Sequence, residues 1–303
     1  MKLYAPKYYK DFKCIADRCT HSCCIGWEID VDEKALERYA FEPKPYAKRV
    51  MESIDQGEVP HFRLCEGERC PHLDGNGLCK IITELGEAYL CDICREHPRF
   101  YNDTVLGREV GLGMACEEAC RLILFGDSYA DVSEIGRARG RSRTPRFDTV
   151  AHREWMYSVL SDGRVPYEER LKAIGQRYGI ELSRYTDGEW RELLASLEYL
   201  DEAHRGLFSC YTSDASTPKD FEKPLERALA YFIYRHCAEV RDEEELCASV
   251  GFCLFCERLL ASVLKNGKFS VTGAIVCVAV AVSEELEYSL DNTEAIKNAF
   301  YLS

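Results

Sequence analysis

The apolar positions change rhythm partway along the chain. From about residue 150 they recur at three- and four-residue intervals, which places them on one side of an α-helix. Trp190, Leu193, Leu194, Leu197 and Leu200 do so behind the cap candidate Asp187. Leu225, Leu229, Phe232 and His236 mark a second face, and Leu246, Val250, Leu254, Leu259 and Leu260 a third. The third predicts a helix that stops near Asn266-Gly267. A further apolar helix is expected over about 273–288, and a short one from about Thr293. Residues 151–303 therefore predict an all-α helical bundle.

Residues 1–125 lack such runs. They hold short segments rich in Cys, Gly and Pro, and their strongest turn signal is Asp74-Gly75-Asn76-Gly77. Val105, Val110, Leu112 and Met114 predict a short β hairpin after Asn102-Asp103. Residues 126–150 read as an Arg-rich linker, with Arg137, Arg139, Arg141, Arg143 and Arg146 in one stretch. That stretch is expected to be an exposed linker, and its second reading is a docking strip for an acidic partner or a cofactor carboxylate. The expected fold is mainly α: an irregular Cys-rich metal-binding domain with a short hairpin, then the helical bundle. No internal repeat is visible.

Composition narrows the function classes. At 303 residues, 46% hydrophobic and 30% charged, the chain can bury a large core in one or two domains. A formal charge of −13 and a pI near 5.2 argue against a nucleic-acid partner. The opening Met1-Lys2-Leu3-Tyr4-Ala5-Pro6 has no apolar core of a secretory signal. The most apolar stretch, Ala274 to Val282, is too short to span a bilayer. No membrane span and a cytoplasmic location are therefore expected. In a reducing compartment, dense cysteines read as metal ligands before disulfides.

Those cysteines carry the chemistry. Eleven of the seventeen precede residue 121: Cys14, Cys19, Cys23 and Cys24, then Cys65, Cys70 and Cys79, then Cys91, Cys94, Cys116 and Cys120. Thiolates at such intervals suit a soft metal or an iron–sulfur cluster. Cys19 and Cys23 would share one side of a helical turn, whereas Cys23 and Cys24 point apart unless the backbone bends. Cys91-x2-Cys94 is a chelating pair, and Cys79 follows a tight turn able to swing it inward. Four sulfurs satisfy one zinc ion or one 4Fe-4S cluster, so either two centres exist or some cysteines are bystanders. The irregular spacing favours iron–sulfur, with zinc as the alternative. His21, His72 and His97 read first as surface or hydrogen-bonding residues and second as substitute ligands. Cys210, Cys237, Cys247, Cys253, Cys256 and Cys277 read as packing residues.

At these residues the chain resembles a known family. Phe12-Lys13-Cys14-x4-Cys19-x3-Cys23-Cys24-x-Gly26-Trp27, Cys70-Pro71-His72-Leu73-Asp74, Gly77-Leu78-Cys79-Lys80, Glu84-Leu85-Gly86 and Leu90-Cys91-x2-Cys94-Arg95-x2-Pro98-Arg99 are similar to flagellin lysine-N-methylases. These belong to a wider group of cysteine-rich zinc- or iron-chelating domains. The resemblance is strong over roughly 4–122. It continues more weakly through Pro166-Tyr167-Glu168-Glu169-Arg170-Leu171 and the helices from Leu225 to Ala299.

The resemblance implies a 4Fe-4S cluster, S-adenosylmethionine as methyl donor, and a protein substrate methylated on lysine, flagellin or another. Matched to the motif, the implied metal ligands are Cys14, Cys19, Cys23, Cys24, Cys70, Cys79, Cys91, Cys94 and Cys116; Cys65 and Cys120 fall outside it. No Gly-rich loop of a nucleotide-binding Rossmann unit is present, and Gly111-Leu112-Gly113 reads as part of a hairpin or turn. Gly26 stands where a Cys-x3-Cys-x2-Cys triplet would need its third cysteine. Asp74, Glu84, Asp92 and Tyr101 are proton-acceptor candidates near the motif, each read first as a cap, turn or packing residue. The residues also allow a non-catalytic zinc or iron module, or an iron–sulfur electron carrier.

Overall fold

The structure, a computed structural model, describes residues 1–126, 131–138, 145, 147–267 and 271–301. Arg139, Arg141, Arg143 and Arg146 of the arginine stretch lie outside the described residues. The chain divides into two compact units. The smaller holds Lys13–Arg99, and the larger holds Met1–Phe12 with Phe100–Ser303.

Strand β1 (Lys2–Pro6) opens the chain. The smaller unit follows, with helices α1 (Glu33–Phe41) and α2 (Pro45–Glu52), a short pair β2 (Ile54–Asp55) and β3 (His61–Phe62), and single-turn helices α3 (Lys80–Glu84) and α4 (Asp92–Glu96). Its core is small: Ile29, Val31, Tyr39, Val50, Phe62 and Ile81 gather there with Cys70 and Cys91. The turn expected at Asp74–Gly77 is present. Asp74 Oδ1 accepts from the backbone of Asn76 and Leu78 at 2.8 and 2.9 Å.

In the larger unit β4 (Arg99–Thr104) and β5 (Gly107–Leu112) form the expected hairpin, with Val110 and Leu112 buried and Val105 exposed at its turn. Gly111 belongs to β5, where any Cβ would meet the Phe100 ring at 2.3 Å. The hairpin joins a four-stranded sheet ordered β4-β5-β1-β6. β1 lies parallel to β5 and antiparallel to β6 (Val132–Arg137). Part of the stretch read as a linker is therefore an ordered edge strand. The alternating apolar pattern that marks a half-buried strand is weak there, since β6 is mostly exposed.

The remaining helices are α5 (Glu117–Phe125), α6 (Val150–Leu160), α7 (Tyr167–Tyr178), α8 (Asp187–Ser196), α9 (Glu202–Phe208), α10 (Glu222–His236), α11 (Glu243–Asn266), α12 (Val271–Glu287) and α13 (Leu290–Asn298). Local chemistry fixes their ends. Thr186 and Glu189 close a capping box on α8, one residue earlier than the cap expected at Asp187. Asp242 caps α11, whose first turn carries three glutamates, and Gly267 follows its last residue as expected. Alone among the helices searched, α11 is long and apolar enough to cross a membrane, but 94% of its apolar window is buried in the protein. It is a core helix. Trp190, fully buried, lies 4.8 Å from Phe255 and 5.5 Å from Phe300 between ring centroids. Burying such a ring stabilises the fold by roughly 2–3 kcal/mol.

The larger unit also buries charge, and pairs most of it. Arg153 donates twice to Glu109 at 2.7 Å, tying α6 to β5, and Arg170 donates to Glu226 at 2.7 Å, tying α7 to α10. Glu257 on α11 is less well served. Its Oε1 accepts from Tyr167 at 3.1 Å and Thr217 at 3.4 Å, while Oε2 is buried without a hydrogen bond. Burial pushes its carboxyl up to about 7, with Arg258 opposing.

A carboxyl that binds its proton more tightly when folded favours the folded state most at low pH. Its contribution declines as pH rises from the unfolded value near 4.5 through about 7. The full effect is roughly 3 kcal/mol. Glu257→Gln is expected to raise the melting temperature at pH 8 while changing it little near pH 5, as thermal denaturation at the two pH values would record.

Candidate metal centre

In the smaller unit, separate segments carry thiols to one place. Cys24, Cys70, Cys79, Cys91 and Cys94 all pack in or against its single core. Each thiol feels others of the set. Cys70 senses Cys24, Cys79 and Cys91, and Cys94 senses Cys91, Cys24 and Cys70.

Backbone hydrogen bonds account for the convergence. Cys70 N donates to Cys24 O at 2.8 Å, and Gly26 N to Glu68 O at 3.1 Å, so the first cysteine segment runs alongside the second. Leu73 bridges to Cys79 around the Asp74 turn, and Lys80 N donates to His72 O at 2.8 Å. Cys70 and Cys79 thus stand on two arms of one loop. Cys91 caps α4 and is almost fully buried. Asp32 holds it there, since Oδ1 accepts from Ala35 N at 3.0 Å, capping α1, and Oδ2 accepts from Asp92 N at 2.6 Å. Arg38 and Tyr39 on α1 donate to Leu90 O and Tyr89 O at 3.0 and 2.6 Å.

Electrostatics show what the cluster lacks on its own. Burial pushes the Cys70 thiol up to about 12 and raises Cys79 as well. Cys94 is raised because it donates its proton to Cys91, and then by burial. Cys91, accepting that bond, is lowered. Cys24 is raised by a hydrogen bond to the adjacent Cys23 thiol, and then by burial. Buried thiols keep their protons unless a cation is close, and a bound metal removes the proton outright. Five soft donors so placed fit zinc or an iron–sulfur cluster in chemistry. Among the described residues no three Cys, His, Asp or Glu side chains stand around a common point as ligands would, so any ligation would have to draw the sulfurs together.

The other implied ligands are not part of that core. Cys14 and Cys23 are exposed, and Cys19 is half-buried with its thiol donating to His21 O at 2.7 Å. Cys116 belongs to the larger unit, capping α5, where Cys120 senses it together with Cys277. Cys65 is exposed on a short bridge to Arg69. Of the cysteines read as packing residues, Cys237, Cys253 and Cys256 are buried, whereas Cys277 is exposed.

His72 fills the bracketing role that hydrogen bonding predicts. Its Nδ1 pairs with Tyr46 Oη at 3.0 Å and its Nε2 with Ser53 Oγ at 2.9 Å, fastening the Cys70 loop to α2. Asp32 was not among the residues singled out by sequence; its signal was an Asp immediately before the helical pattern of α1. Asp74 is held below the usual carboxylate range by its two backbone bonds, and Asp92 is bonded to Arg95. Both serve structure.

The molecule is thus a mainly α protein with a cysteine-clustered unit. Over 161 residues, half of this chain and 94% of the relative, it is 24% identical to the flagellar biosynthetic protein FliU of Salmonella muenchen. Over 136 residues, 43% of this chain, it is 25% identical to the lysine-N-methylases of Salmonella choleraesuis and Salmonella typhimurium. The match spans 34% of the length of each methylase. No family model matches the chain, and no solved structure does.

Because Asp32 caps one helix and anchors the next, its loss acts twice. Asp32→Ala is expected to destabilise the protein by about 1–3 kcal/mol, the sum of two such caps. A chemical-denaturation midpoint unchanged from wild type would show that the double bond does not hold Cys91 in place.

Proposed function

We propose that the protein is an iron–sulfur lysine N-methylase, using S-adenosylmethionine to methylate lysine side chains of a protein substrate, with flagellin the first to test. One observation carries this reading: the similarity to the two Salmonella lysine-N-methylases, alongside FliU, whose name places it in flagellar biosynthesis. The five clustered thiols support the metal part. In this reading Cys24, Cys70, Cys79, Cys91 and Cys94 supply the ligands of a 4Fe-4S cluster, with zinc as the alternative occupant. When bound, the cluster supplies a Lewis-acidic or redox-active iron centre.

The transfer moves one methyl group from the sulfonium to the lysine nitrogen and releases one proton, leaving S-adenosylhomocysteine and N-methyllysine. The ammonium must first lose a proton, so the site has to desolvate it and offer an acceptor. Asp74 and Asp92 are poor acceptors, since the bonds just described occupy them. Cys14, Cys19, Cys23 and Cys116 enter as ligands by resemblance alone. The thiols taken by themselves also favour a second reading, a non-catalytic iron or zinc module or an electron carrier, in the reducing cytoplasm where such thiols persist.

Protein purified without oxygen is expected to be brown, to release sulfide with acid, and to transfer label from methyl-labelled S-adenosylmethionine to lysine in flagellin. Cluster-bearing protein that labels no lysine in flagellin or in a lysate would remove the methylase reading and leave the second.

A further inference from the structure

Where α7 meets α11 in the larger unit, one arginine serves two carboxylates unequally. Arg258 Nη2 donates to Glu168 Oε2 at 2.9 Å and lies 3.7 Å from Glu257 Oε2, which has no hydrogen bond. Nε of the same arginine is also buried without a partner. The guanidinium is therefore bonded to one carboxylate and within ion-pair range of the other. The two differ in access to water, since the Glu168 side chain is 45% exposed and that of Glu257 only 1%.

Both carboxylates also hold Thr217, in the segment between α9 and α10. Thr217 donates its N–H to Glu168 Oε1 at 2.8 Å and its hydroxyl to Glu257 Oε1 at 3.4 Å. The same segment rests on α11 through Ser262, whose Oγ accepts from Thr212 N at 3.1 Å, and through the Tyr211 ring, stacked 4.8 Å from Phe255. The groups that face Glu257 are Tyr167 and Glu168 from α7, Arg258 on its own helix, and Tyr211 and Thr217 from this segment. Of these only Arg258 is a cation. While Glu257 keeps its proton, Arg258 serves Glu168 and the Thr217 N–H keeps its acceptor. An ionised Glu257 is a buried charge with one oxygen unpaired, which is costly unless a cation closes on it. Glu168, with water at hand, gives up its partner at little cost.

We propose that Glu257, Arg258 and Glu168 form a proton-operated switch, in which loss of the Glu257 proton draws Arg258 from Glu168 to Glu257 and frees the Thr217 N–H that Glu168 holds. The step releases one proton to solvent and otherwise exchanges hydrogen bonds alone. Two discrete positions of one guanidinium make the element bistable, and the proton biases it. Burial places the Glu257 carboxyl at about 7, so the exchange falls in the neutral range. The device rests neither on metal in the smaller unit nor on methyl transfer.

Amide hydrogen exchange of the whole chain at pH 6 and pH 8, corrected for the intrinsic rate at each, reads the switch at the Thr217 amide. About one tenth of Glu257 is ionised at the lower pH and about nine tenths at the higher. Wild type is expected to lose protection roughly tenfold at Thr217 between the two, as befits one hydrogen bond to a charged acceptor, while amides in the middle of α11 keep theirs. Glu257→Gln, which cannot ionise, is expected to keep Thr217 protected at both values, and Glu168→Ala to leave it unprotected at both. The wild-type comparison needs no variant to fold. Equal Thr217 protection at the two pH values, or a loss no larger than that of the α11 amides, would overturn the switch. So would Glu257→Gln losing as much protection as wild type.

Discussion

A thiol in a protein core holds its proton unless positive charge lies beside it, and the smaller unit is organised around that constraint. It brings Cys24, Cys70, Cys79, Cys91 and Cys94 from four stretches of chain into one modest core. The apolar residues of that core are few, and the stretches are tied by backbone bonds, the clasp of Asp32, the His72 bracket and the Arg38 and Tyr39 bonds to Leu90 and Tyr89. A cation among the sulfurs would turn repelled protons into ligand bonds and would couple metal binding to folding. Each backbone bond that aligns the loops also shortens the search the thiols must make.

The larger unit obeys different rules. Its stability comes from a broad apolar core around α10, α11 and α12, and its buried charges are mostly paired across elements, as in Arg153 with Glu109. Its buried cysteines behave as small apolar residues, with Cys237 and Cys253 sulfurs 3.8 Å apart inside the core. Cys116, half-buried at the head of α5, belongs to this unit and not to the smaller one.

How much could be read in advance follows from which interactions are local. Helices α8, α10, α11, α12 and α13 were legible because a 3.6-residue apolar period, a cap and a stop each leave marks within a few residues. The hairpin was legible for the same reason. Pairing of β1 with β5 and β6 was not, since it joins residues more than one hundred positions apart and β6 has no buried face to pattern. At the site, spacing marked the early thiols as ligand candidates, but it could not show which five share a core. That depends on non-local bonds such as Cys70 N to Cys24 O. Spacing also left His72 and His97 equivalent, and their hydrogen-bond surroundings set them apart.

The central claim is that bound metal holds the five thiols of the smaller unit. It is tested most directly by alkylating protein purified without oxygen, before and after a strong chelator, and mapping the modified cysteines by mass spectrometry. The account predicts that Cys24, Cys70, Cys79, Cys91 and Cys94 resist the reagent together until metal is stripped, then react together, while Cys237, Cys253 and Cys256 stay protected throughout. Identical alkylation of the five with and without chelator would contradict it.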